Sequence, residues 1–233
     1  SIRNPPPVHC IAFGVDETLV NQSTSLPPGW VDDYIPPGKF VVGHAGTIGT
    51  TNALDTLFAC ARAMQDDPRI HFLIVGEGDL KASYQTMTAD LPNVTFAPGV
   101  PKEMVQSVLQ QCDLLYFAAH PSKVWMYGLS LNKVIDYMLA GKPVVASYTG
   151  APTMVDDAGA GSFAPAGDVE ALQREILRYA EMPRGQLEAI GLAGREWLLR
   201  NRRYPHLAGE YLRLIQSLLP VSGTVGKSHV TLS

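Results

Sequence analysis

The chain has 233 residues, 46% of them hydrophobic and 17% charged, which is enough to enclose one large core and excludes a disordered chain. A formal net charge of −4 removes the electrostatic case for nucleic-acid binding. Cys10, Cys60 and Cys112 are odd in number, far apart and set in apolar contexts. They are expected to be buried free thiols in a reducing compartment, and no apolar run approaches the ~20 residues that span a bilayer. A cytoplasmic protein is expected, with no metal role for the cysteines.

The chain begins with Ser1 and runs through "RNPPP" into the apolar "VHCIAFGVDETL". A proline triplet ahead of such a run has the composition of an interdomain linker. Residues 1–20 are therefore read as a linker and first strand, with the segment that precedes them in a longer chain lying outside this sequence. From Lys39 onward β-rich runs (Phe40–His44, Ile70–Val75, Val94–Ala97, Leu114–Ala118, Pro143–Ser147) alternate with helical patterns. The first helix carries Leu54, Leu57, Phe58 and Ala61 on one face. Further helices are expected at about 79–89, 102–111 and 130–140, then one near Asp168 and two more through Leu219. This alternation predicts an α/β domain over 21–219, a doubly wound, Rossmann-like parallel sheet with helices on both faces. The polar residues 220–233 are read as a flexible tail. In such a fold ligands sit outside the carboxyl ends of the strands, so the loops there carry the functional signal.

"VVGHAGTIGTTN" places Gly43, Gly46 and Gly49 after the first run. Two readings stand: a tight βα turn, or a loop around Gly46, Thr47 and Gly49 pressed against a phosphate or sugar. The spacing G-x-x-G-x-x-G is neither the dinucleotide fingerprint nor a Walker loop. Glu77 ends the next run about 30 residues past the glycine loop rather than the ~20 of a ribose-binding acid, which leaves a solvated turn acid as the alternative. Gly99 and Val100 follow the third run, where exposed backbone can read a nucleobase edge. His120, Lys123, Trp125 and Tyr127 lie in the loop after the fourth; a loop histidine there is either locally bonded or part of a site.

That loop leads into "GLSLNKVIDYMLAGKPVVAS". Ser130 is a good N-cap, with Leu131, Val134, Ile135 and Met138 as the core stripe. Asn132, Lys133 and Asp136 share the other face. Lys133 in the first turn opposes the helix dipole. It either pairs with Asp136 on the surface, or joins the helix amides in holding an anion while Asp136 accepts hydrogen bonds from a polyol.

Together with "FLIVGEGDL" and "NVTFAPGVPKEMVQSVLQQCDLLYFAA", this helix motif resembles the C-terminal, donor-binding domain of a family-4 retaining glycosyltransferase, one half of the GT-B architecture. The pattern G-L-S-x-N-K-x-x-D-Y-M is similar to that of bacterial surface-polysaccharide and lipopolysaccharide (O-antigen) transferases that use UDP-linked acetamido sugars, such as N-acetylfucosamine transferases. The resemblance implies metal-independent transfer from a nucleotide-sugar donor, with Asp136 on the ribose, Ser130 to Lys133 at the diphosphate, Gly99 and Val100 at the base, and Gly46 to Gly49 beside the phosphates and sugar. It assigns Ala12 to Asp16 to the interdomain segment and implies an N-terminal acceptor domain and a saccharide or lipid-linked acceptor, the latter bringing the whole protein to the inner membrane. Gly128 stands where the family has a first glutamate, Phe13 where asparagine is usual, and Ala45 to Asn52 lacks the usual basic residues. Lys133, with Lys123, is then expected to neutralise the leaving diphosphate, and this part of the chain alone is expected to bind nucleotide weakly without transferring sugar. The rival readings are a sugar-nucleotide epimerase of the same architecture, an NAD-dependent oxidoreductase and a non-catalytic binding module.

Overall fold

The structure, a computed structural model, describes residues 9, 11, 13–16, 18 and 24–218. Six parallel strands form one sheet: β1 (Phe40–Ala45), β2 (Ile70–Val75), β3 (Val94–Ala97), β4 (Leu114–Ala118), β5 (Val144–Ser147) and β6 (Gly161–Ala164), in the order β3-β2-β1-β4-β5-β6. The chain winds outward from β1 to β3, returns to place β4 against β1, and winds outward again. The reversal opens a crevice at the carboxyl ends of β1 and β4. Strands β2, β4 and β5 are buried along their whole length, as their unbroken apolar runs require. The expected doubly wound fold is therefore the observed one. β6 was not among the expected strands, because its "GSFA" carries little β-branched or aromatic signal.

The helices are α1 (Trp30–Tyr34), α2 (Asp55–Ala63), α3 (Lys81–Met87), α4 (Val105–Gln110), α5 (Asn132–Leu139), α6 (Met154–Ala158), α7 (Val169–Ala180), α8 (Arg184–Asn201) and α9 (Tyr204–Leu218). The stripes expected for α2 and α5 face the sheet from opposite sides: Leu57, Phe58 and Ala61 lie in one buried cluster, Val134, Ile135 and Met138 in the other. The expected 102–111 helix begins as a 3-10 turn, Lys102–Met104, before α4. Asp168 caps α7, its carboxylate accepting from the Ala171 N–H at 2.8 Å.

Residues 220–233 and most of 1–20 lie outside the described residues. Within the latter, Val15 is buried, donates its N–H to the Arg202 carbonyl at 2.8 Å and forms an isolated bridge with Arg203 at the start of α9. Cys60 and Cys112 are buried free thiols; Cys10 lies outside the described residues. No helix among the described residues is long and apolar enough to cross a membrane.

The loops after β1 and β2 pack main chain to main chain. The Gly46 N–H donates to the Val75 carbonyl at 3.0 Å and the Ile48 N–H to the Glu77 carbonyl at 2.8 Å. A methyl group at Gly76 would stand 1.9 Å from the Gly46 carbonyl oxygen, and φ there is +149°. Gly76→Ala is therefore expected to cost about 2–4 kcal/mol through clash and strain together. Gly167→Ala, at φ +85° with no atom within 4 Å of the added methyl, should cost only the ~1–2 kcal/mol of a left-handed residue. Urea unfolding of the two variants measures the difference.

Candidate functional site

The crevice floor is the end of β1. Tyr137, fully buried on α5, points its hydroxyl at Ala45, accepting from the Ala45 N–H at 3.0 Å and donating to the Ala45 carbonyl at 3.2 Å. One side chain thus holds the last residue of β1 against α5. His44, also fully buried, has Nδ1 3.2 Å from the Tyr116 carbonyl. Its Nε2 finds no partner at hydrogen-bond geometry. Burial, reinforced by the charge of Lys133, pulls the imidazole down to about 3, so it is neutral at physiological pH.

The helix carrying the predicted anion site starts one residue later than a Ser130 cap would set it. Leu131 occupies the N-cap in extended backbone, no side chain caps the helix, and Asn132 and Lys133 are its first two residues. Ser130 stands one position before the N-cap and does not cap; the boundary falls where the backbone leaves the extended region, after Leu131. The first-turn amides are left without a side-chain acceptor. Leu131 is half-buried against the core and Asn132 is exposed.

Lys133 does not pair with Asp136. Its ammonium crosses to the glycine loop and donates to Asn52 Oδ1, and a methyl at Gly46 would touch its Cε and Nζ at 3.7 Å. Burial lowers this amine to about 8. Asp136 turns the other way, towards α4, and both its oxygens accept from the Lys102 ammonium at 2.6 Å. The two side chains diverge although a spacing of three puts them on one helix face, because that face meets different neighbours, the β1 loop on one side and the turn opening α4 on the other. Neither Asn52 nor Lys102 entered the sequence reading; an amide closing the glycine loop and a lysine in the first turn after Pro101 were the signals available.

Glu77 accepts from Lys81 at 2.8 Å and from the Gly99 N–H at 3.1 Å. That settles it as a locally bonded turn acid and engages the Gly99 amide that was expected to face a base; Val100 is half-buried beside it. Hydrogen bonding to Lys81, then to Gly99, lowers the Glu77 carboxyl. Thr47 is exposed, with its carbonyl accepting from Asn52 Nδ2 at 2.6 Å, and a methyl at Gly49 would meet Asp79 at 2.8 Å. His120 is bonded through Nε2 to the Thr50 carbonyl at 2.6 Å, and its own carbonyl accepts from Trp125 Nε1 at 2.7 Å. It ties the loop after β4 to the turn after β1. Lys123 lies exposed on the 3-10 turn Lys123–Tyr127 and Tyr127 is almost fully exposed. The structure thus gathers Gly46, Thr47, Asn52, His120 and Lys133 around one loop, and puts Asp136 with Lys102 on its flank. Among the described residues no three His, Cys, Asp or Glu side chains converge as a metal site would need.

Residues 39–182, which include all six strands and this crevice, match the family model described as glycosyl transferases group 1. The amylovoran biosynthesis glycosyltransferase AmsK of Erwinia amylovora is 29% identical over 128 residues, 53% of this chain and 31% of that protein. HepE of Anabaena, solved in complex with UDP, superposes with a TM-score of 0.68 at 17% identity, covering 88% of this chain and 56% of its own. TarM of S. aureus, solved with UDP among its ligands, gives 0.62 at 20% identity, covering 76% of this chain and 35% of its own. The structural likeness shows the fold, and the chain spans from a third to just over half of these proteins' length.

The buried histidines make stability depend on pH. His71 on β2, pulled down to about 4 mainly by burial, joins His44 as an imidazole that takes up a proton far more readily unfolded than folded. The unfolded chain therefore binds more protons, and the native state loses stability as pH falls below ~6.5, by up to about 1.4 kcal/mol per pH unit for each histidine. Chemical denaturation between pH 7 and 5 is expected to show this loss, with His44→Gln reducing its slope.

Proposed function

The chain belongs to the glycosyl transferases group 1 family, and on that basis we propose that it is the donor-binding half of a GT-B glycosyltransferase. It takes a nucleoside-diphosphate sugar, UDP-linked and with an acetamido sugar the preferred class, for transfer with retention in surface-polysaccharide synthesis. The observation that carries this reading is the position of Lys133: a cation in the first turn of an uncapped helix, brought under the glycine loop at the strand-order reversal. Free amides and an ammonium converge where a diphosphate would lie. This offers an answer to the missing basic residues of the glycine loop, since Lys133 reaches that loop from α5. The UDP complexes of HepE and the AmsK relationship support the same donor and pathway class.

In this reading the chain's task is positioning and charge stabilisation. The α5 amides and Lys133 hold the departing diphosphate, with Lys123, exposed on the loop after β4, as a second cation, and no metal takes part. Asp136 receives the ribose hydroxyls after exchanging its contact with Lys102. Gly46, Thr47 and Gly49 line the phosphates and sugar, Val100 the base, and His120 holds the turn after β1 in place through Thr50. The acceptor, saccharide or lipid-linked, is taken by an N-terminal acceptor domain of the whole protein, and a lipid-linked acceptor would bring that protein to the inner membrane. This chain by itself is then a binder that transfers no sugar. A non-catalytic module is the second reading, favoured by the absence of any basic residue from Ala45 to Asn52.

A thermal-shift series with UDP, GDP and NAD separates these readings. UDP at 100 times its Kd is expected to add about 2.7 kcal/mol of stability. Lys133→Ala should weaken UDP at least about tenfold, the loss of one charge-assisted hydrogen bond, and Asp136→Ala should abolish the response. Stabilisation by NAD alone would overturn the donor reading, and silence with every nucleotide would leave the non-catalytic module.

A further inference from the structure

Asn52 holds the glycine loop and the buried lysine together. Its Nδ2 donates to the Thr47 carbonyl at 2.6 Å, which fixes the orientation of the carboxamide and turns Oδ1 to the Lys133 ammonium, 81 positions along the chain. Beneath the same loop lies the unpartnered Nε2 of His44, about 3.9 Å from where a methyl at Gly46 would stand. We propose that Asn52 is the positioning residue of the anion-facing lysine: a neutral acceptor that holds the Lys133 ammonium beside Gly46 without cancelling its charge, so that a nucleoside diphosphate meets a whole positive charge.

The contrast lies at the rim of the same crevice. Lys102 is neutralised by Asp136 and Lys81 by Glu77, each at ion-pair distance. Lys133 alone of these three lysines has a neutral amide as its side-chain partner. An aspartate at position 52 would make a third internal pair and leave a phosphate to compete with a carboxylate. An aliphatic residue would leave the buried ammonium without a side-chain acceptor. The other titratable groups around Lys133 do not take over this role. His44 from β1 is neutral, His120 from the loop after β4 is bonded to Thr50, Asp136 on the next turn of α5 is held by Lys102, and Asp79 lies behind Gly49.

The inference rests on the donor-domain reading, and one series of titrations tests the two separately. UDP binding to the 233-residue chain and to Asn52→Asp and Asn52→Ala is measured by calorimetry between pH 7 and 10. Wild-type affinity is expected to fall as pH rises through the Lys133 value of about 8. In Asn52→Asp the affinity at pH 7 should drop at least about fivefold, and the fall should move up by about one pH unit, because a carboxylate favours the ammonium. In Asn52→Ala the fall should move down, because the ammonium loses its acceptor. Opposite displacements are a signature that simple loosening of the loop does not give, and if Asn52→Asp fails to fold, Asn52→Ala still carries the test. pH midpoints equal to wild type would overturn the inference while leaving the donor reading in place; no binding of UDP by the wild-type chain would overturn both.

Discussion

A lysine taken out of water is unfavourable unless its ammonium meets acceptors, and Lys133 is taken largely out of water at the mouth of the sheet. The arrangement around it follows from that constraint. Asn52 supplies an acceptor, Asn52 is oriented by Thr47, and the loop bearing Thr47 is bonded through its own main chain to the loop after β2. That backbone contact requires glycine at 76, where any side chain would collide with the Gly46 carbonyl. On the other side Tyr137, one turn along from Lys133, holds Ala45 by both its N–H and its carbonyl. The glycine loop is thus gripped from two directions before any ligand is considered.

The electrostatics of the crevice are set by pairing. Glu77 and Asp136 at its flanks each hold a lysine, so their charges are balanced within the protein. Such pairs add little stability at an exposed surface, but they change what the crevice offers to a ligand. With both of these acids matched and His44 uncharged, the charge left beside Gly46 is that of Lys133, next to the unsatisfied amides that open α5, while Asp79 sits at the Gly49 end of the loop. A small number of unbalanced donors in a confined place suits a polyanion.

Much of the fold was legible in the sequence. The strands at 70–75, 94–97 and 114–118 are read to the residue: the first and last are fully buried and show as apolar runs bounded by turn residues, and the half-buried 94–97 shows by its β-branched and aromatic Val94, Thr95 and Phe96. β6 escaped because its pairing with β5 supplies what its own side chains do not. In the site, the helix bearing Lys133 and Asp136 was legible from its period, while the Ser130 cap was one residue early. His44 and Tyr137 were not singled out in the sequence, because their burial and their contacts at the end of β1 follow from packing between elements far apart in the chain.

Periodicity and loop composition determined the doubly wound sheet, the strand-end loops and the helix on which the lysine rides, because each depends on neighbours along the chain. Which partner each side chain takes was decided by tertiary structure alone. Lys133 meets Asn52 81 positions away, Asp136 meets Lys102 34 positions away, and Tyr137 meets Ala45 92 positions away. Lys133 and Asp136, close enough on one helix to be read as a pair, are drawn apart by different neighbours. The reason is reach: two long side chains at one helix surface settle on whichever buried acceptor or cation the packing of other elements brings within hydrogen-bond distance, and no local pattern encodes that distance.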